Sequence, residues 1–383
     1  MYKCAIIHFG EIGLKRENKS YFVEKLILNI NKKLRENVKI YYSLSRIIIE
    51  NYSDEKKLKS VLNKISGIKY FTFNFVVSND LEILKKSILT ELQNSKIIYG
   101  SFRIRAKRSQ IFKFSSVEIE KNIGAFIKEN TLMNVNLKNP ELTVFIEFFN
   151  DKAFFTFEKN QGIGGMSANS GNKLISLISS GFDSPVASFK MIKRGARVIF
   201  VHFHSLPYSD MVQVENVKSI VGVLSQYQIS TKLYLIPFYE IQKSISSNLD
   251  IDPKYRVILY KRIMIKIAEI IAYKTKALGL ITGDNFAQVA SQTSKNLYAI
   301  HECSKYPIYQ PLIGYDKDEI IKISNEIDLY RFSSIKCNDT CSMFSPVHPE
   351  INASVKIVKE LEEKINTDEL IEFSLKNKEI IFF

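Results

Sequence analysis

The stretch 174–184 constrains the fold most, because it joins a buried strand to a loop of small residues. Residues 174–178 are apolar apart from Ser176, a pattern typical of a strand buried on both faces of a sheet. Residues 179–184 are small and polar except for Phe182. This pattern predicts a tight turn at the carboxyl end of a central strand.

A helix is predicted directly after this loop. Pro185 favours the first helical position with Ser184 as the N-cap, and Gly195 is suited to end the helix. Such a helix start presents free backbone N–H groups and the positive end of the helix dipole. The loop therefore predicts an anion site at the sheet edge where ligands of parallel sheets bind.

The C-terminal half alternates between apolar strands and helical stretches. Strands are predicted at 174–178, 197–203, 231–236 and 277–282. Helices are predicted at 185–194, 211–226, 256–275 and 316–327. Such alternation predicts an α/β fold with a parallel sheet covered by helices on both faces.

The N-terminal half mixes helices and strands before a segment rich in Gly, Ser and Asn. Apolar residues that mark one face of an early helix are Val23, Ile27, Ile30 and Leu34. Residues 46–50 predict a strand, and a break near 51–54 separates a small N-terminal piece. The Gly-, Ser- and Asn-rich segment, 160–173, predicts a linker to the C-terminal half.

Length and composition predict an ordinary globular protein of several domains. The chain has 383 residues, of which 45% are hydrophobic and 25% charged, enough for two or three cores. No apolar run approaches the roughly 18 residues that span a bilayer, and the N-terminus does not resemble a secretory signal. Four cysteines are too sparse for a disulfide scaffold, so we expect a cytoplasmic location.

The net charge of +14 is concentrated in the N-terminal half. Residues 1–170 contain 28 Lys and Arg against 17 Asp and Glu, whereas residues 171–383 contain 26 against 23. A bias from genome base composition would be spread more evenly, so this asymmetry favours a basic half that binds an anionic partner.

Residues 101–107 of this basic half predict a strand with a cationic face. Arg103, Arg105 and Lys107 alternate with apolar residues, so one face joins the core and the other meets solvent. A solvated strand face is the simplest interpretation of the alternation alone. The basic surplus around it favours contact with a phosphate backbone.

The loop at 179–184 lacks the Gly-x-x-x-x-Gly-Lys-Ser/Thr pattern of kinase-type phosphate loops. Its sequence, Ser-Ser-Gly-Phe-Asp-Ser, instead resembles the Ser-Gly-Gly-x-Asp-Ser PP-loop of the ATP pyrophosphatases. Enzymes of that superfamily split ATP between the α and β phosphates and hold the departing pyrophosphate. The resemblance implies ATP as substrate with Mg²⁺ near Asp183, although Ser180 stands where the first glycine is usual.

Further segments resemble the tRNA 4-thiouridine synthetase (ThiI) family along nearly the whole chain. They are 8–15, 102–108, 136–140, 201–205, 282–283, 288–293, 310–314 and 341–349. The resemblance implies an α+β ferredoxin-like domain at 1–54, a THUMP RNA-binding domain at 55–160, a linker at 161–173 and a PP-loop catalytic domain at 174–383. It also implies an enzyme that adenylylates the uridine at tRNA position eight and replaces its 4-oxygen with persulfide sulfur, giving 4-thiouridine.

Carried over residue by residue, the resemblance implies an ATP site at the loop, at strand ends and on one helix. Its residues are Leu177, Ile178, Ser179, Ser180, Gly181, Ser184, His202, Phe203, Lys261, Arg262, Gly283 and Gln292. Asp183 is implied to act catalytically at the phosphates. Lys261 stands in place of the first arginine of an Arg-Arg pair, which keeps the charge but loses the bidentate guanidinium. The THUMP likeness adds Arg108 to the cationic strand face as a tRNA contact.

Cys341 occupies the position of the family's catalytic-domain cysteine, which implies a thiol that handles sulfane sulfur. Cys337, four residues earlier, is a resolving thiol, a ligand of an iron–sulfur cluster, or without a role. A zinc site of Cys337, Cys341 and His348 lacks a fourth ligand. His202 and His204 have no carboxylate or cysteine at ligand spacing, so we predict no metal ion held by these side chains.

The sequence leaves the sulfur source and two rival interpretations open. No rhodanese-like domain follows the catalytic domain, so we expect a separate persulfide donor such as a cysteine desulfurase; a homodimer and a link to thiamine thiazole synthesis also stay open. One rival is another PP-loop enzyme, such as one that makes lysidine or thiolated cytidine, which the N-terminal matches and Cys341 disfavour. The other is a tRNA-binding protein with a decayed loop, suggested only by Ser180 and Lys261.

Overall fold

The computed structural model describes residues 1–95, 97–109, 113–208, 210–335, 344 and 346–383. These residues form two compact units, Met1–Ser167 and Ala168–Phe383. Cys341, the predicted sulfur-handling residue, and Cys337, for which several roles stay open, lie outside the described residues. None of the described helices is long and apolar enough to cross a membrane.

The first unit is built on one mixed sheet, of which nine strands lie among the described residues. Its strands are β1 (Tyr2–Phe9), β2 (Lys39–Ser43), β3 (Arg46–Glu50), β4 (Ile68–Ser78), β5 (Ser101–Arg108), β6 (Asn134–Val135), β7 (Leu142–Phe149), β8 (Lys152–Thr156) and β9 (Asn160–Gln161). Its helices are α1 (Lys19–Leu34), α2 (Glu55–Leu62), α3 (Leu81–Asn94) and α4 (Ser116–Asn130). The order β2-β3-β1-β4-β8-β7-β5-β6, with β9 also beside β4, makes the sheet continuous as far as the basic strand β5.

The strand register puts the two main cores of this unit on one face of the sheet. Ala5 and Ile7 of β1 pack with α1 and α2, and Ile104 and Ile146 of β5 and β7 pack with α3 and α4. Asp80 starts α3 by accepting two backbone N–H bonds, a cap that contributes about 1 kcal/mol. The helices α1 to α4 therefore all cover the same face of the sheet.

On the opposite face, a buried ionic group joins strands that are distant in the sheet. Arg46 Nε of β3 donates to Glu147 Oε2 of β7 at 2.6 Å, and His8 Nε2 lies 3.2 Å from Glu147 Oε1. Strands β3 and β7 are four positions apart in the sheet order, roughly 19 Å in a flat sheet. The contact means that the sheet curls until this face closes on itself, over a small apolar cluster that includes Phe149 and Phe154.

The start of the predicted linker packs on the first unit. Strand β9 pairs with β4, and the Gly164 N–H donates to the Ile68 carbonyl at 2.8 Å. Met166 is buried in the core beside α1, and Ser167 Oγ donates to the Phe22 carbonyl at 2.7 Å. Residues up to 167 are therefore held by this unit through both backbone and side-chain contacts.

The second unit contains a six-stranded sheet within the described residues. Its strands are β10 (Lys173–Leu177), β11 (Arg197–His204), β12 (Lys232–Pro237), β13 (Leu280–Ile281), β14 (Ile308–Tyr309) and β15 (Glu379–Phe382). Its helices are α5 (Asp183–Lys193), α6 (Met211–Ser225), α7 (Tyr239–Ser247), α8 (Arg256–Thr275), α9 (Ser294–His301), α10 (Lys317–Glu326), α11 (Tyr330–Ser333), α12 (Val355–Glu362) and α13 (Thr367–Lys376).

The predicted strand–helix alternation and parallel sheet are confirmed in this unit. The sheet order is β14-β13-β10-β11-β12-β15, with parallel pairing from β14 to β12. Residues 198–203 of β11 are all buried, so both faces of the sheet are covered. Strand β15, which the sequence did not predict, pairs antiparallel with β12 as an edge strand. Four residues are too few to show the alternation of apolar and polar side chains that distinguishes a strand from the preceding helix.

Candidate functional site

The loop after β10 closes on itself before α5 begins. Helix α5 starts at Asp183, with Phe182 in the N-cap position and no side-chain cap. The predicted start at Pro185 with Ser184 as cap is therefore wrong by two residues. The Ser184 hydroxyl instead accepts the backbone N–H of Ser179 at 2.8 Å, which folds the loop tightly. The predicted helix end is confirmed, since Gly195 has a φ of 91° that favours glycine.

A cavity of about 340 Å³, called here the main cavity, opens at the carboxyl ends of the parallel strands. It brings together ten of the predicted ATP-site and catalytic residues. They are Leu177, Ile178, Ser179, Asp183, Ser184, His202, Phe203, Lys261, Gly283 and Gln292. They come from four segments distant in the chain and meet because β10, β11 and β13 are parallel neighbours.

Three predicted residues do not line the main cavity: Ser180, Gly181 and Arg262. Ser180 is buried in the loop, and the Gly181 carbonyl accepts the Ser333 hydroxyl at 3.2 Å. The unusual serine is therefore buried within the protein and does not line the cavity.

Arg262 serves a different part of the unit from its neighbour Lys261. Its guanidinium is 2% exposed, lies 3.0 Å from Glu362 Oε2 and donates to the Ala299 carbonyl. Lys266 lies 2.9 Å from the other oxygen of Glu362. Arg262 thus ties α8 to α9 and α12, whereas Lys261 faces the cavity.

Gly283 is required at the end of β13 by close packing against the phosphate loop. A Cβ at this position would lie 2.5 Å from the Ser184 backbone nitrogen. A side chain would therefore push apart the strand end and the start of α5. This close approach sets how far Thr282 and Asp284 stand from the loop.

His202 is neutral at pH 7 and presents an acceptor to the main cavity. Burial lowers its pKa to about 4. Its Nδ1 lies 2.9 Å from the Ile178 carbonyl, so Nδ1 carries the proton and donates it. Nε2 is then an acceptor, and it is buried with no hydrogen-bond partner among the described residues.

Asp284 forms the centre of a polar cluster that the sequence did not reveal. Its Oδ1 lies 3.1 Å from Lys261 Nζ and accepts from Gln292 Nε2 at 3.4 Å, and its Oδ2 lies 3.4 Å from His301 Nε2. Burial opposes its ionisation, but the charge of Lys261 and the contacts with His301 and Thr282 together outweigh burial and hold the pKa of Asp284 well below its usual range. A buried carboxylate thus orients three side chains from three elements.

Asp183 lies at the start of α5 and is paired with a lysine that the sequence also did not reveal. Lys317 Nζ of α10 lies 2.9 Å from Asp183 Oδ1 and 3.1 Å from Oδ2. The same ammonium lies 5.5 Å from the centroid of the Phe182 ring. The carboxylate of Asp183 and the ammonium of Lys317 therefore form an ion pair beside the loop.

The other cavity residues missed by sequence reasoning belong mostly to helix faces. Met264, Ile265 and Val257 of α8 and Gln213 of α6 line the main cavity. A helical apolar pattern predicts that a helix is buried, but it does not say which residues border a cavity. Asp284 had a usable signal, since it lies three residues after a strand that ends at the ligand-binding edge.

The other two cysteines, Cys4 and Cys303, are shielded from solvent in part or completely. Burial raises the pKa of the Cys4 thiol to about 12 and that of Cys303 to about 11, so both stay protonated. The described residues contain no group of three His, Cys, Asp or Glu side chains placed to hold a metal ion. The roles predicted for Cys337 and Cys341 fall outside the described residues and stay predictions.

The predicted cationic strand face is present on β5. Phe102, Ile104 and Ala106 are buried, whereas Arg105 and Lys107 are exposed. Arg103 is half-buried and donates to the Leu137 carbonyl at 3.2 Å, and Arg108 donates to the Phe114 carbonyl at 2.9 Å.

Lys159 joins this surface from the segment between β8 and β9. Its Nζ lies 3.9 Å from the centroid of the Phe145 ring on β7. Burial and the charge of Lys107 lower its pKa. The sequence did not predict this lysine, because it lies outside the alternating strand and reaches the face only through the fold.

Three family models match consecutive parts of the chain. The ThiI model, described as thiamine biosynthesis protein, matches residues 169–367. The ThiI ferredoxin-like domain matches residues 4–72, and the THUMP domain matches residues 79–158.

Whole-chain relatives agree with these matches. A probable tRNA sulfurtransferase of Thermus thermophilus is 34% identical over 379 residues, which cover 98% of this chain and 92% of the relative. A solved 4-thiouridine synthetase in complex with RNA and bound ATP superposes with a TM-score of 0.90 at 31% identity, over 100% of both chains. A Pyrococcus horikoshii protein of 24% identity shares the fold, with a TM-score of 0.66 over 85% of this chain and 99% of its own. The chain therefore belongs to the ThiI family.

Proposed function

We propose that the chain is an ATP-dependent tRNA sulfurtransferase that converts the uridine at tRNA position eight to 4-thiouridine. The observation that carries the proposal is the convergence of the phosphate loop, His202, Lys261 and Gln292 on one cavity. The identity with a probable tRNA sulfurtransferase and the likeness to a 4-thiouridine synthetase with RNA and ATP support it. The same likeness favours this reaction over that of a lysidine- or thiocytidine-forming enzyme.

The reaction has three bond exchanges. In the first, the 4-oxygen of the uridine attacks the α-phosphorus of ATP, and the bond to the β-phosphate breaks as pyrophosphate leaves. In the second, the terminal sulfur of a persulfide attacks C4, and the C4–O bond breaks as AMP leaves. The S–S bond of the persulfide is then cleaved by a second thiol, which leaves a disulfide.

The adenosine is proposed to lie between the strand ends and α8. Leu177, Phe203 and Met264 provide apolar walls for it. A donor on the nucleoside would satisfy His202 Nε2, a group that otherwise stays buried and unpaired at a cost of about 1–3 kcal/mol. His202 would thus help to choose the nucleoside as well as to hold it.

The phosphates are proposed to lie over the loop at 179–184. Backbone N–H groups and the dipole of α5 attract the departing pyrophosphate. Lys261 neutralises charge that builds up during the transfer, a type of stabilisation worth about 10²–10³ in rate when one donor is removed. Its contact with Asp284 keeps the ammonium in place before the nucleotide arrives.

Asp183 is the proposed ligand of Mg²⁺. A single carboxylate at the loop, without a cluster of three metal-binding side chains in the described parts of the chain, suits an ion held mainly by phosphate oxygens and water. When bound, Mg²⁺ would neutralise charge on the phosphates and favour release of pyrophosphate. Asp183 would then exchange its contact with Lys317 for the ion.

Cys341 is the proposed site of sulfur transfer, with the persulfide supplied by a separate donor such as a cysteine desulfurase. Cys337 is the proposed second thiol in this chain, four residues away. These assignments depend on the sequence pattern. The chain has four cysteines, and the raised pKa values of Cys4 and Cys303 disfavour a thiolate at either, which supports Cys337 and Cys341.

The cationic face of β5 is proposed to contact the phosphates of tRNA. Arg105 and Lys107 are free to point outward, and the THUMP match covers this strand. Such contacts follow the shape of the RNA rather than its base sequence, and the target uridine must still leave its stack to reach the nucleotide. A tRNA substrate is consistent with a cytoplasmic enzyme. That the protein forms a homodimer stays a hypothesis, which a measurement of its molecular mass in solution would test.

The experiment that tests the proposed function is tRNA-dependent release of pyrophosphate. Pure protein, Mg·ATP and an unmodified tRNA transcript should release pyrophosphate well above the rate without tRNA. A transcript with cytidine in place of uridine at position eight should return the rate to background. Equal release from both transcripts would contradict the proposed target.

A second role, in thiamine thiazole synthesis, is suggested by the description of the matching family model. Sulfur carried by a cysteine persulfide can be passed either to the tRNA uridine or to a precursor of the thiazole. Cells that lack the protein should then need added thiazole or thiamine for growth, and a variant without tRNA thiolation would tell whether the two roles share one site.

A further inference from the structure

A second cavity of about 260 Å³ adjoins the main cavity. The two cavities share the wall residues Val257, Val289 and Ser291. The other residues of the second cavity are Lys254, Ile258, Ala290, Pro346, Pro349 and Glu350. None of these six residues lines the main cavity, so the ATP site does not account for the second cavity.

The walls of the second cavity suit a ring that packs its faces against apolar side chains, with a negative charge outside it. Valine, isoleucine, alanine and proline side chains form most of the lining. Lys254 is 43% exposed and has its Nζ 3.3 Å from Asp252 Oδ2 and 3.6 Å from Glu350 Oε2. Because Glu350 also accepts two backbone N–H bonds at its turn, Lys254 is the more movable partner and is available to an incoming phosphate.

The chemistry of the proposed function requires such a place beside the nucleotide. The attacking oxygen must come within about 3–3.5 Å of the α-phosphorus, so the acceptor base must enter a space continuous with the ATP site. A pyrimidine can reach that point only after it has left the RNA stack, and proteins receive extruded bases between apolar side chains.

We infer that the second cavity receives the extruded target pyrimidine, with Lys254 contacting its phosphate. This inference rests on the proposed function. The shared walls Val257, Val289 and Ser291 set the position of the base relative to the nucleotide. The cavity therefore determines which nucleotide is modified, whereas the strand β5 determines which RNA is bound.

Filling the cavity from residues that do not line the main cavity tests the inference. Ala290→Trp fills it from the turn before α9, and Pro349→Trp fills it from a different segment; neither residue lines the main cavity. Lys295→Trp, an exposed position on α9, is the matched control. ATP affinity, tRNA affinity and the single-turnover rate of AMP transfer to tRNA are measured for each variant.

The expected result is a loss of AMP transfer of about 10²-fold in both filled variants, the size expected when reacting groups are misplaced by about an ångström. ATP and tRNA affinities should stay within about twofold of wild type, and Lys295→Trp should match wild type. Full AMP transfer by both filled variants would overturn the inference. So would intact AMP transfer with lost sulfur insertion, because the cavity would then serve the sulfur donor. If wild type itself transferred no AMP, the proposed function would fail first.

Discussion

Lys261 Nζ lies 3.1 Å from Asp284 Oδ1, and this contact gives the main cavity a fixed cation next to the phosphate loop. Gln292 and His301 lie beside the same carboxylate. Two residues that the sequence assigned to the ATP site are therefore positioned by one that it did not assign.

Replacement of this carboxylate should weaken catalysis through its neighbours. Asp284→Asn keeps the shape but removes the charge that orients Lys261, so we expect kcat for pyrophosphate release to fall about tenfold with a smaller change in KM for tRNA. Asp284→Glu should recover part of the rate because it restores the charge. Steady-state kinetics measure both, with the exposed Asp368→Asn as control. Unchanged kinetics in Asp284→Asn would contradict the role of Asp284 in positioning Lys261.

The charge at position 261 should matter more than its geometry. Lys261→Met should lower the rate of AMP transfer about 10²-fold, since one cation is lost at the developing charge. Lys261→Arg should stay within about tenfold of wild type, because the charge is kept and the family itself has arginine there. Lys274→Met on the exposed part of the same helix is the control. Equal rates for Lys261→Met and wild type would contradict a role for this cation.

Asp183 should set the Mg²⁺ requirement. Asp183→Asn removes the loop carboxylate, so the Mg²⁺ concentration for half-maximal pyrophosphate release should rise and the maximal rate should fall by about 10²-fold or more. Asp318→Asn, one residue from Lys317 but not in contact with Asp183, provides a control on the same helix. An unchanged Mg²⁺ dependence in Asp183→Asn would rule out metal binding at this carboxylate.

The curled sheet of the first unit should depend on pH through Glu147. Burial opposes the ionisation of Glu147, but contacts with His8 and Arg46 prevail and lower its pKa from 4.5 to about 2. A depressed carboxyl pKa stabilises the fold at neutral pH, and this contribution, about 3 kcal/mol, is lost as the pH falls from about 4.5 toward 2.

Glu147→Gln should therefore lower the free energy of unfolding at pH 7 by about 3 kcal/mol, and the difference from wild type should shrink as the pH falls below about 4.5. Denaturant unfolding at several pH values measures this. Glu158→Gln, which breaks an exposed pair with Lys59, should change stability by less than about 1 kcal/mol. A pH-independent effect of Glu147→Gln would contradict the ionised pair.

Sulfur insertion should depend on Cys341 after AMP transfer has occurred. Cys341→Ser should still release pyrophosphate in a tRNA-dependent manner but should form no 4-thiouridine with a persulfide donor present. Cys303→Ser, at a protonated and half-buried thiol, should keep both activities. Formation of 4-thiouridine at the wild-type rate by Cys341→Ser would show that the sulfur passes elsewhere.

The sequence predicted those parts of the site that depend on local pattern. Residues 174–184 encode a buried strand, a small-residue loop and a helix, and the structure confirms this order and places ten predicted residues around one cavity. The start of α5 was placed two residues late because proline at 185 suggested the first turn, whereas the helix begins at Asp183 without a side-chain cap.

What the sequence could not supply was the direction of each side chain on a helix. Lys261 and Arg262 are neighbours in the chain and cations of similar reach, but one turns to the cavity and the other to Glu362. Only the packing of α8 against α9 and α12 separates them. Lys317 and Asp284 were missed because each acts through a partner that is distant in the chain, 134 and 23 residues away.

The most direct test of the central claim is nucleoside analysis by mass spectrometry of tRNA from cells with and without this protein. The account predicts that 4-thiouridine is present in the parent and absent from the deletion strain. It should return when the wild-type chain is supplied, but not when Asp183→Asn is supplied. Normal amounts of 4-thiouridine in the deletion strain would contradict the assignment.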